Sequence, residues 1–234
     1  MKKIIFTAAA LLVTGILLAQ NNKTDWANSG RYAEENKTAP KGAVVFMGNS
    51  ITRGWVENRP EFFKENNYVG RGIGGQTSAH MLVRFRSDVI DLKPSTVVIL
   101  AGTNDIAQNN GYISLENVLG NIISMVELAK ANNIKVILCS VLPAAEFGWR
   151  KELKPANDII QLNQMIKFYA AKNNIPYVDY HTALKDENNG LPKKYAGDGV
   201  HPNKEAYLIM EQLVQQAIGK KTKLKKDRKY WFSN

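Results

Sequence analysis

Cysteine and histidine are scarce in this chain, with one cysteine and three histidines among 234 residues. A single cysteine cannot form a disulfide within the chain, and neither a Cys-x-x-Cys nor a His-x-x-x-His spacing is present. These absences argue against a disulfide-stapled fold and a structural zinc site, and we expect no metal and no other cofactor. Cys139 lies within the apolar run 135–141, so we interpret it as a buried, inert core thiol.

Long hydrophobic runs are also missing, except for the predominantly apolar residues 4–18. Lys2 and Lys3 precede this run, and the small Ala19 follows it before a polar segment. This order is typical of a cleavable secretory signal, and the run is too short for a comfortable membrane span. We therefore expect residues 1–19 to be a signal peptide and the protein to be exported, either to a periplasm or to the medium. An uncleaved anchor is the alternative, since the flanking residues alone decide between the two.

The excess of positive charge, +10 at neutral pH, is unevenly distributed. Residues 219–234 carry seven lysines and arginines against one aspartate, which leaves the body of the chain close to neutral. A nucleic-acid-binding domain carries its basic residues on a folded face, so we expect no nucleic-acid partner. We interpret this tail as a solvated extension, with contact to an anionic surface as the functional alternative. Its aromatic run 230–232 favours docking against the body as a further alternative.

Apolar runs alternate with helical patterns along the body of the chain. Continuous runs rich in Val and Ile are typical of strands buried on both faces of a parallel sheet. The alternation predicts one three-layer α/β/α domain over residues 41–218, with a five-stranded, mostly parallel sheet. A loose, polar N-terminal arm with some helix is expected over residues 20–40. The predicted strands are 43–47, 67–69, 96–101, 135–141 and 176–179, and the predicted helices are 77–90, 115–131, 158–172 and 203–218, the last with Pro202 in its first turn.

Two polar residues follow predicted strands at the points where those strands end. Ser50, in the sequence GNSIT, comes directly after the run 43–47, where a helix is expected to begin. Asn104, in the sequence GTND, follows the run 96–101. Because the carboxyl ends of parallel strands meet at one edge of a sheet, and α/β sheets carry their sites there, the two side chains should lie close together.

An aspartate and a histidine near the C-terminus complete the pattern. The sequence DGVHP places Asp198 three residues before His201 on a glycine-containing turn, close enough for the carboxylate to hold one ring nitrogen. The other ring nitrogen is then free to take the proton of the Ser50 hydroxyl, which is a poor nucleophile by itself. The three segments together predict nucleophilic acyl transfer, with the Ser50 N–H and the Asn104 amide as donors to the oxyanion.

Each of these residues has an alternative interpretation. Ser50 could cap the following helix, and Asn104 could form a turn pair with its neighbour Asp105. His181 competes with His201 as the base, because Asp179 and His181 would share one face if the strand continued. We favour the DGVHP histidine because its turn precedes a helix and completes the constellation.

The glycine-rich segment 70–75 (GRGIGG) matches the G-x-G-x-x-G pattern of dinucleotide-binding turns. It follows the second predicted strand, however, and no acidic residue closes a further strand about 20 residues later, as that fold requires. We therefore interpret these glycines as allowing backbone N–H groups to approach a ligand oxygen, with a nucleotide-binding α/β protein as the alternative.

Four segments resemble, in order, the conserved blocks of the SGNH, or GDSL-like, esterase and lipase superfamily: GNSIT, GIGGQT, GTND and DGVHP. The resemblance covers residues 41–218, is closest to the platelet-activating-factor acetylhydrolase-like branch, and implies a flavodoxin-like fold. One departure is visible, since Asn49 stands where the family name has Asp, and we expect it to alter local hydrogen bonding rather than activity. The resemblance implies Ser50 as nucleophile, Gly75 and Asn104 as oxyanion-hole donors, and His201 as a base oriented by Asp198.

The expected substrate is an ester with a short acyl group. No long apolar insertion is present that would form a lid over a lipid tail. Export into a glycan-rich compartment favours O-acetyl groups on saccharides, and Trp55 and Trp149 could stack on sugar rings, with core packing as their alternative role. The sequence thus predicts an exported serine esterase acting on short-chain acyl esters of small molecules or glycans. A lipase or lysophospholipase and a catalytically degenerate glycan-binding module are the alternatives.

Overall fold

The sheet has five strands and is parallel throughout. The computed structural model describes residues 25–219, so the predicted signal peptide (1–19) and all but the first residue of the predicted basic tail (219–234) lie outside the described residues. The strands are β1 (Val44–Gly48), β2 (Tyr68–Gly72), β3 (Thr96–Ile99), β4 (Lys135–Cys139) and β5 (Tyr177–Val178). Their order across the sheet is β2-β1-β3-β4-β5.

Helices cover both faces of this sheet. They are α1 (Ala33–Lys37), α2 (Ser50–Asn58), α3 (Pro60–Lys64), α4 (Ser78–Asp88), α5 (Thr103–Ile106), α6 (Leu115–Ala131), α7 (Ala156–Lys172), α8 (Tyr180–Leu184) and α9 (Lys204–Ile218). Among residues 25–219, none of these helices combines the length and the apolar character needed to cross a membrane.

Alternating side chains of β1 pack into two hydrophobic cores, one on each face of the sheet. Val45 and Met47 of β1 pack into a core that includes apolar residues of α4, α6 and α7. Val44 and Phe46 point the other way and pack with α2, α3, α8 and α9. The sheet is therefore the middle of three layers, which confirms the predicted α/β/α fold.

The predicted elements differ from the observed ones mainly at their ends. Helix α6 has the predicted bounds at both ends, whereas β3 and β4 end two residues earlier than predicted because the chain turns there into loops. Pro202 is not in the first turn of α9, as the sequence suggested. It precedes the cap residue Asn203, whose side chain accepts a hydrogen bond from Ala206 N–H. Helix α1 lies in the N-terminal segment for which some helix was expected. Helices α3, α5 and α8 were not predicted, because four or five residues are too few to show a helical period.

The N-terminal segment 25–40 is held against the domain rather than loose. The Tyr32 hydroxyl donates to the Gly72 carbonyl at 2.6 Å, and Gln76 Nε2 donates to the Ala27 carbonyl at 2.6 Å. Single polar side chains make these contacts, so they leave no periodic pattern in the sequence. The segment thus belongs to the folded domain and lies beside the end of β2.

The strand order places a crevice at the carboxyl ends of β1 and β3. The chain crosses from β1 to β2 on one side of the sheet and then returns to β3 on the other side of β1. In doubly wound sheets of this order, ligands bind where the direction of winding reverses. The residues that follow β1 and β3 therefore flank the expected position of a site.

Candidate active site

Ser50 begins α2 directly beyond the end of β1 and is partly exposed. The preceding Asn49 caps this helix, because its Oδ1 accepts a hydrogen bond from Ile51 N–H at 2.9 Å. Tyr207 of α9 donates its hydroxyl to the Ile51 carbonyl at 2.8 Å. The first turn of α2 is thus held both by its own cap and by the helix that follows His201.

Ser50, His201 and Asp198 form one continuous chain of hydrogen bonds. Ser50 Oγ lies 2.9 Å from His201 Nε2, and His201 Nδ1 lies 2.6 Å from Asp198 Oδ2. The other carboxylate oxygen accepts from the backbone N–H groups of Val200 at 3.0 Å and of His201 at 2.8 Å. The structure therefore brings together a serine and a histidine that are 151 residues apart in the sequence.

The protonation of this chain follows from the surroundings of Asp198. Burial by itself would raise the pKa of the Asp198 carboxyl, but hydrogen bonds from the His201 ring and from the backbone N–H groups of His201 and Val200 outweigh it and hold the pKa below its ordinary value. The carboxylate is thus ionised at neutral pH and favours a proton on His201 Nδ1. In the neutral ring, Nε2 is then the acceptor that faces the Ser50 hydroxyl.

The competing histidine, His181, lies elsewhere in the fold. It is buried in α8, and its backbone N–H donates to Ser140 Oγ at 2.9 Å. Asp179 caps α8 instead of orienting the His181 ring, since its carboxylate accepts from both the N–H and the hydroxyl of Thr182 at 3.0 Å. Strand β5 ends before Asp179, so the two side chains do not share a strand face. His201, and not His181, is the histidine that contacts Ser50.

Asn104 lies in α5, buried beside the glycine-rich loop. Its Nδ2 donates to the Gln76 carbonyl at 2.9 Å, and its Oδ1 accepts from Asn109 Nδ2 at 2.9 Å. Gly75, next to Gln76, is exposed and has a φ of +76°, which glycine adopts at low cost. The loops that carry Asn104 and Gly75 are thus joined by a direct hydrogen bond.

Asp105 has a structural role that the sequence did not reveal. The sequence suggested only that Asp105 could form a turn pair with Asn104. Its carboxylate accepts the Ser78 N–H at 3.0 and 2.9 Å and the Ser78 hydroxyl at 2.6 Å. Burial raises the pKa of Asp105, against the lowering effect of these Ser78 hydrogen bonds. The contact fastens the start of α4 to the loop after β3. No sequence signal distinguishes such a cap, because an acidic residue can cap any neighbouring helix.

Arg84 of α4 is a second residue that the sequence analysis missed. Its side chain is fully buried and donates to the Gly48 carbonyl and to the Arg71 carbonyl, each at 2.9 Å. It also donates to Gln76 Oε1 at 2.6 Å and to Asp88 Oδ2 at 2.8 Å. One guanidinium therefore holds the ends of β1 and β2 and the glycine-rich loop together. The spacing of Arg84 and Asp88 by four residues was the available signal, but it is also typical of an exposed helical ion pair.

The glycines of β2 have a packing role rather than the predicted ligand-approach role. A Cβ on Gly72 would lie 2.3 Å from Arg53 N and 2.6 Å from Asn49 O, and one on Gly70 would lie 2.2 Å from Val56 Cγ2. These glycines let α2 approach the strand closely, so the sequence interpretation was wrong for both. The loop also follows the edge strand and not a strand at the reversal of winding, which gives the nucleotide-binding alternative no support.

The two tryptophans singled out in the sequence have different surroundings. Trp55 is 1% exposed and stacks between Phe62 and Tyr207 in the core, so a sugar-stacking role for it is wrong. Trp149 is 45% exposed, and its ring centroid lies 6.4 Å from that of His201. Trp149 thus presents an exposed aromatic ring beside the Ser50–His201 pair.

A cavity of about 290 Å³ opens beside the loop that follows Asn104. Tyr112 at its edge is 80% exposed. Most of the cavity lining is polar and includes Gln108, Ser114, Glu116, Asp158 and Gln161.

Across residues 25–219, no group of three or more His, Cys, Asp or Glu side chains is arranged to hold a metal ion.

Three known proteins illustrate what this chain is similar to. A GDSL-like lipase from Bacteroides thetaiotaomicron VPI-5482, known from its crystal structure, is 55% identical with a TM-score of 0.81, over 83% of this chain and 98% of that chain. The platelet-activating factor acetylhydrolase IB subunit alpha2 of Homo sapiens is 31% identical over 108 residues, which are 44% of this chain and 45% of that protein. The acetylxylan esterase of Geobacillus stearothermophilus is 26% identical over 159 residues, or 64% of this chain and 71% of that protein. The chain spans about half the length of the curated relatives that it matches at 31% identity.

A family model covers more than half of the chain. The model, described as the GDSL-like Lipase/Acylhydrolase family, matches residues 46–209. This stretch contains all four segments on which the resemblance was based. The chain belongs to the GDSL-like lipase/acylhydrolase family.

Proposed function

We propose that the protein is an exported serine esterase that hydrolyses short-chain acyl esters, above all O-acetyl esters of saccharides. The observation that carries the proposal is the chain of hydrogen bonds from Ser50 Oγ to His201 Nε2 at 2.9 Å and from His201 Nδ1 to Asp198 Oδ2 at 2.6 Å. A serine hydroxyl needs a base to become nucleophilic, and a base needs a fixed orientation and tautomer. This geometry supports both requirements.

The proposed reaction proceeds in two steps. His201 Nε2 takes the hydroxyl proton as Ser50 Oγ attacks the ester carbonyl, and it then returns that proton to the departing alcohol. The acyl group stays on Ser50 as an ester. Water, deprotonated by the same nitrogen, attacks this ester and releases the acid and the free serine. Asp198 stabilises the imidazolium at each proton transfer.

The oxyanion of each tetrahedral intermediate needs fixed donors. Within residues 25–219, neither the Ser50 N–H nor the Gly75 N–H donates to another protein group. Asn104 Nδ2 uses one hydrogen on the Gln76 carbonyl and keeps a second one. We assign these three donors to the oxyanion, each with about 3 kcal/mol of transition-state stabilisation.

The proposed alcohol half is a saccharide. The exposed Trp149 ring beside His201 offers a face on which a sugar ring can stack. The name of the Geobacillus stearothermophilus relative, an acetylxylan esterase, supports the same substrate class.

Comparison of acyl-chain lengths tests the acyl half of the proposal. We expect kcat/KM to be higher for p-nitrophenyl acetate than for the butyrate, and lowest for the octanoate. A maximum at the octanoate would contradict the short-acyl assignment and favour the lipase alternative. Acetylated xylo-oligosaccharide and a lysophospholipid, supplied as competing substrates, test the alcohol half. We expect kcat/KM to be higher for the saccharide ester, and the reverse order would contradict the saccharide assignment.

A fluorophosphonate probe separates an esterase from a degenerate binding module. We expect the probe to label Ser50 of the folded protein and to leave the Ser50→Ala variant unlabelled. A folded wild-type protein that resists the probe and cleaves none of the esters would exclude the esterase and leave the binding module.

Export is the remaining part of the proposal and rests on residues 1–19. We expect a bacterial host that expresses the full chain to release a protein whose N-terminus begins after Ala19. Intact-mass measurement of the protein from the periplasm or medium checks this. Recovery of uncleaved protein in the membrane fraction would support the anchor instead.

A further inference from the structure

Two residues outside the proposed catalytic set contact Asn104 in series. Asn109 Nδ2 donates to Asn104 Oδ1 at 2.9 Å, and Trp149 Nε1 donates to Asn109 Oδ1 at 2.9 Å. At its other end, Asn104 Nδ2 donates to the backbone carbonyl of Gln76 at 2.9 Å. We name this series, from Trp149 through Asn109 and Asn104 to Gln76, the amide chain.

The two ends of the amide chain fix the direction of every bond within it. An indole N–H only donates, so the oxygen of the Asn109 amide must face Trp149 and its nitrogen must face Asn104. A backbone carbonyl only accepts, so the nitrogen of Asn104 must face Gln76. The two requirements agree, because Asn109 then offers a donor to the oxygen of Asn104. If either asparagine amide rotated by 180°, a donor would face a donor or an acceptor would face an acceptor at each of its two contacts.

We propose that Asn109 and Trp149 are positioning residues that hold the Asn104 amide for the oxyanion. The inference rests on the proposed function, in which the second hydrogen of Asn104 Nδ2 faces the substrate. A single bond to Gln76 leaves the amide free to swing about that contact. The bond from Asn109 holds the opposite end of the same group, and Trp149 in turn holds Asn109.

Trp149 also lies next to the proposed base. Its ring is beside His201, while its N–H orients Asn109, so one side chain contacts both the base and the residue that holds the oxyanion donor Asn104. Asn104 is buried, whereas Asn109 and Trp149 are exposed. The amide chain therefore leads from the surface of the crevice to its buried donor.

The test compares variants that remove single bonds while keeping shape. Asn109→Leu removes both Asn109 bonds with little change in volume, and we expect kcat for p-nitrophenyl acetate to fall about tenfold with KM unchanged. Trp149→Phe keeps an aromatic ring beside His201 but removes the N–H, and we expect a smaller fall in kcat. Thermal unfolding of each variant verifies that the fold is intact.

Arg150→Gln is the matched control. Arg150 Nη2 donates to the Gln108 carbonyl at 3.1 Å, so the change removes a hydrogen bond to the same loop without touching the amide chain. We expect its kcat to equal that of the wild type. An equal fall in kcat for Arg150→Gln and Asn109→Leu would assign the effect to general loosening of the loop and overturn the proposal.

A double-mutant cycle with Asn104→Ala gives the decisive readout. If Asn109 acts through Asn104, Asn109→Leu lowers kcat in the wild type but has no further effect in the Asn104→Ala background. Full additivity of the two losses, or a wild-type kcat for folded Asn109→Leu, would overturn the positioning role. Failure of the proposed function is distinguishable, because Ser50→Ala or Asn104→Ala would then leave the activity unchanged.

Discussion

At the scale of single residues, the orientation of the proposed base is set by one short turn. Asp198 accepts the backbone N–H groups of Val200 and His201 on one oxygen and faces His201 Nδ1 with the other. The carboxylate is thus aimed at the ring by contacts within four residues. The contact with Ser50, in contrast, depends on packing of α9 against α2, where Tyr207 bonds to the Ile51 carbonyl.

Removal of the nucleophile or the base should nearly abolish activity. We expect Ser50→Ala and His201→Ala each to lower kcat by about 10⁴-fold or more, and Asp198→Ala to lower it less because orientation is partly recoverable. Hydrolysis of p-nitrophenyl acetate by the purified variants measures these losses. His181→Gln is the control, since within residues 25–219 no hydrogen bond joins His181 to Ser50, Asp198 or His201. Loss of activity in His181→Gln with retention in His201→Ala would reverse the assignment.

The Asn104 amide should contribute to the rate and not to the fold. We expect Asn104→Ala to lower kcat by about 10² to 10³, because it removes one preorganised oxyanion donor. Steady-state kinetics with p-nitrophenyl acetate, together with thermal unfolding, separates the two effects. Asn110→Ala, an exposed change in the same loop, should leave kcat unchanged. A wild-type kcat in folded Asn104→Ala would remove Asn104 from the oxyanion hole.

At the scale of elements, buried polar side chains hold together the loops that follow β1, β2 and β3. Arg84 binds the carbonyls of Gly48 and Arg71 near the ends of β1 and β2, and Asp105 of α5 binds the start of α4. Gln76 joins the glycine-rich loop to the N-terminal segment through the Ala27 carbonyl. Loops are ordinarily mobile, so these side chains explain how a site made of loops keeps a fixed geometry.

Loss of Arg84 should be costly because it leaves a charge unpaired in the interior. We expect Arg84→Met to lower the free energy of unfolding by about 3 to 5 kcal/mol, since Asp88 stays buried without its guanidinium partner. Urea denaturation measures the change. Arg84→Met combined with Asp88→Leu should recover part of the loss, because no charge is then stranded.

The exposed pair Arg53 and Glu57 provides the control for Arg84. Both side chains are at least half exposed, so Arg53→Met should change the free energy of unfolding by less than about 1 kcal/mol. Equal effects of Arg53→Met and Arg84→Met would contradict the role assigned to the buried guanidinium.

At the scale of the whole molecule, folding buries ionisable groups that water would otherwise solvate. Burial lowers the pKa of His181, as does the charge of Lys185, against the raising effect of Asp179. Burial raises the pKa of Asp105, so this carboxyl titrates with the opposite effect on stability. The stability of the domain therefore depends on pH through more than one group.

The free energy of unfolding should decrease as the pH is lowered, because His181 then becomes protonated. Its folded-state pKa lies below the ordinary value of 6.5, so the unfolded chain binds the proton more readily. The contribution of His181 to the free energy of unfolding should therefore be constant above about pH 6.5, decrease as the pH falls toward the folded-state pKa, and become constant again below it. Urea titrations of the wild type and His181→Gln isolate this contribution, because Asp105 is common to both. A difference between the two proteins that is independent of pH would contradict it.

Much of the fold and the candidate site could be predicted from the sequence because the signals are local. Apolar runs specify buried strands whatever their partners, and residues at strand ends share one sheet edge, where Ser50 and Asn104 follow the paired strands β1 and β3. The Asp198–His201 turn is held by contacts between its own residues, so the five-residue sequence DGVHP was sufficient to predict it. The glycines of β2 were misinterpreted because the sequence records a need for space and not which group occupies it.

Tertiary structure alone decided how distant groups meet. It brought His201 to Ser50, buried Trp55 and exposed Trp149, and placed Arg84 against two strand ends. It also docked residues 25–40 and formed the amide chain. These outcomes depend on contacts across tens of residues between groups that are chemically ordinary by themselves. A period or spacing in the sequence records the neighbours of a residue along the chain, whereas such contacts arise only once the layers are packed.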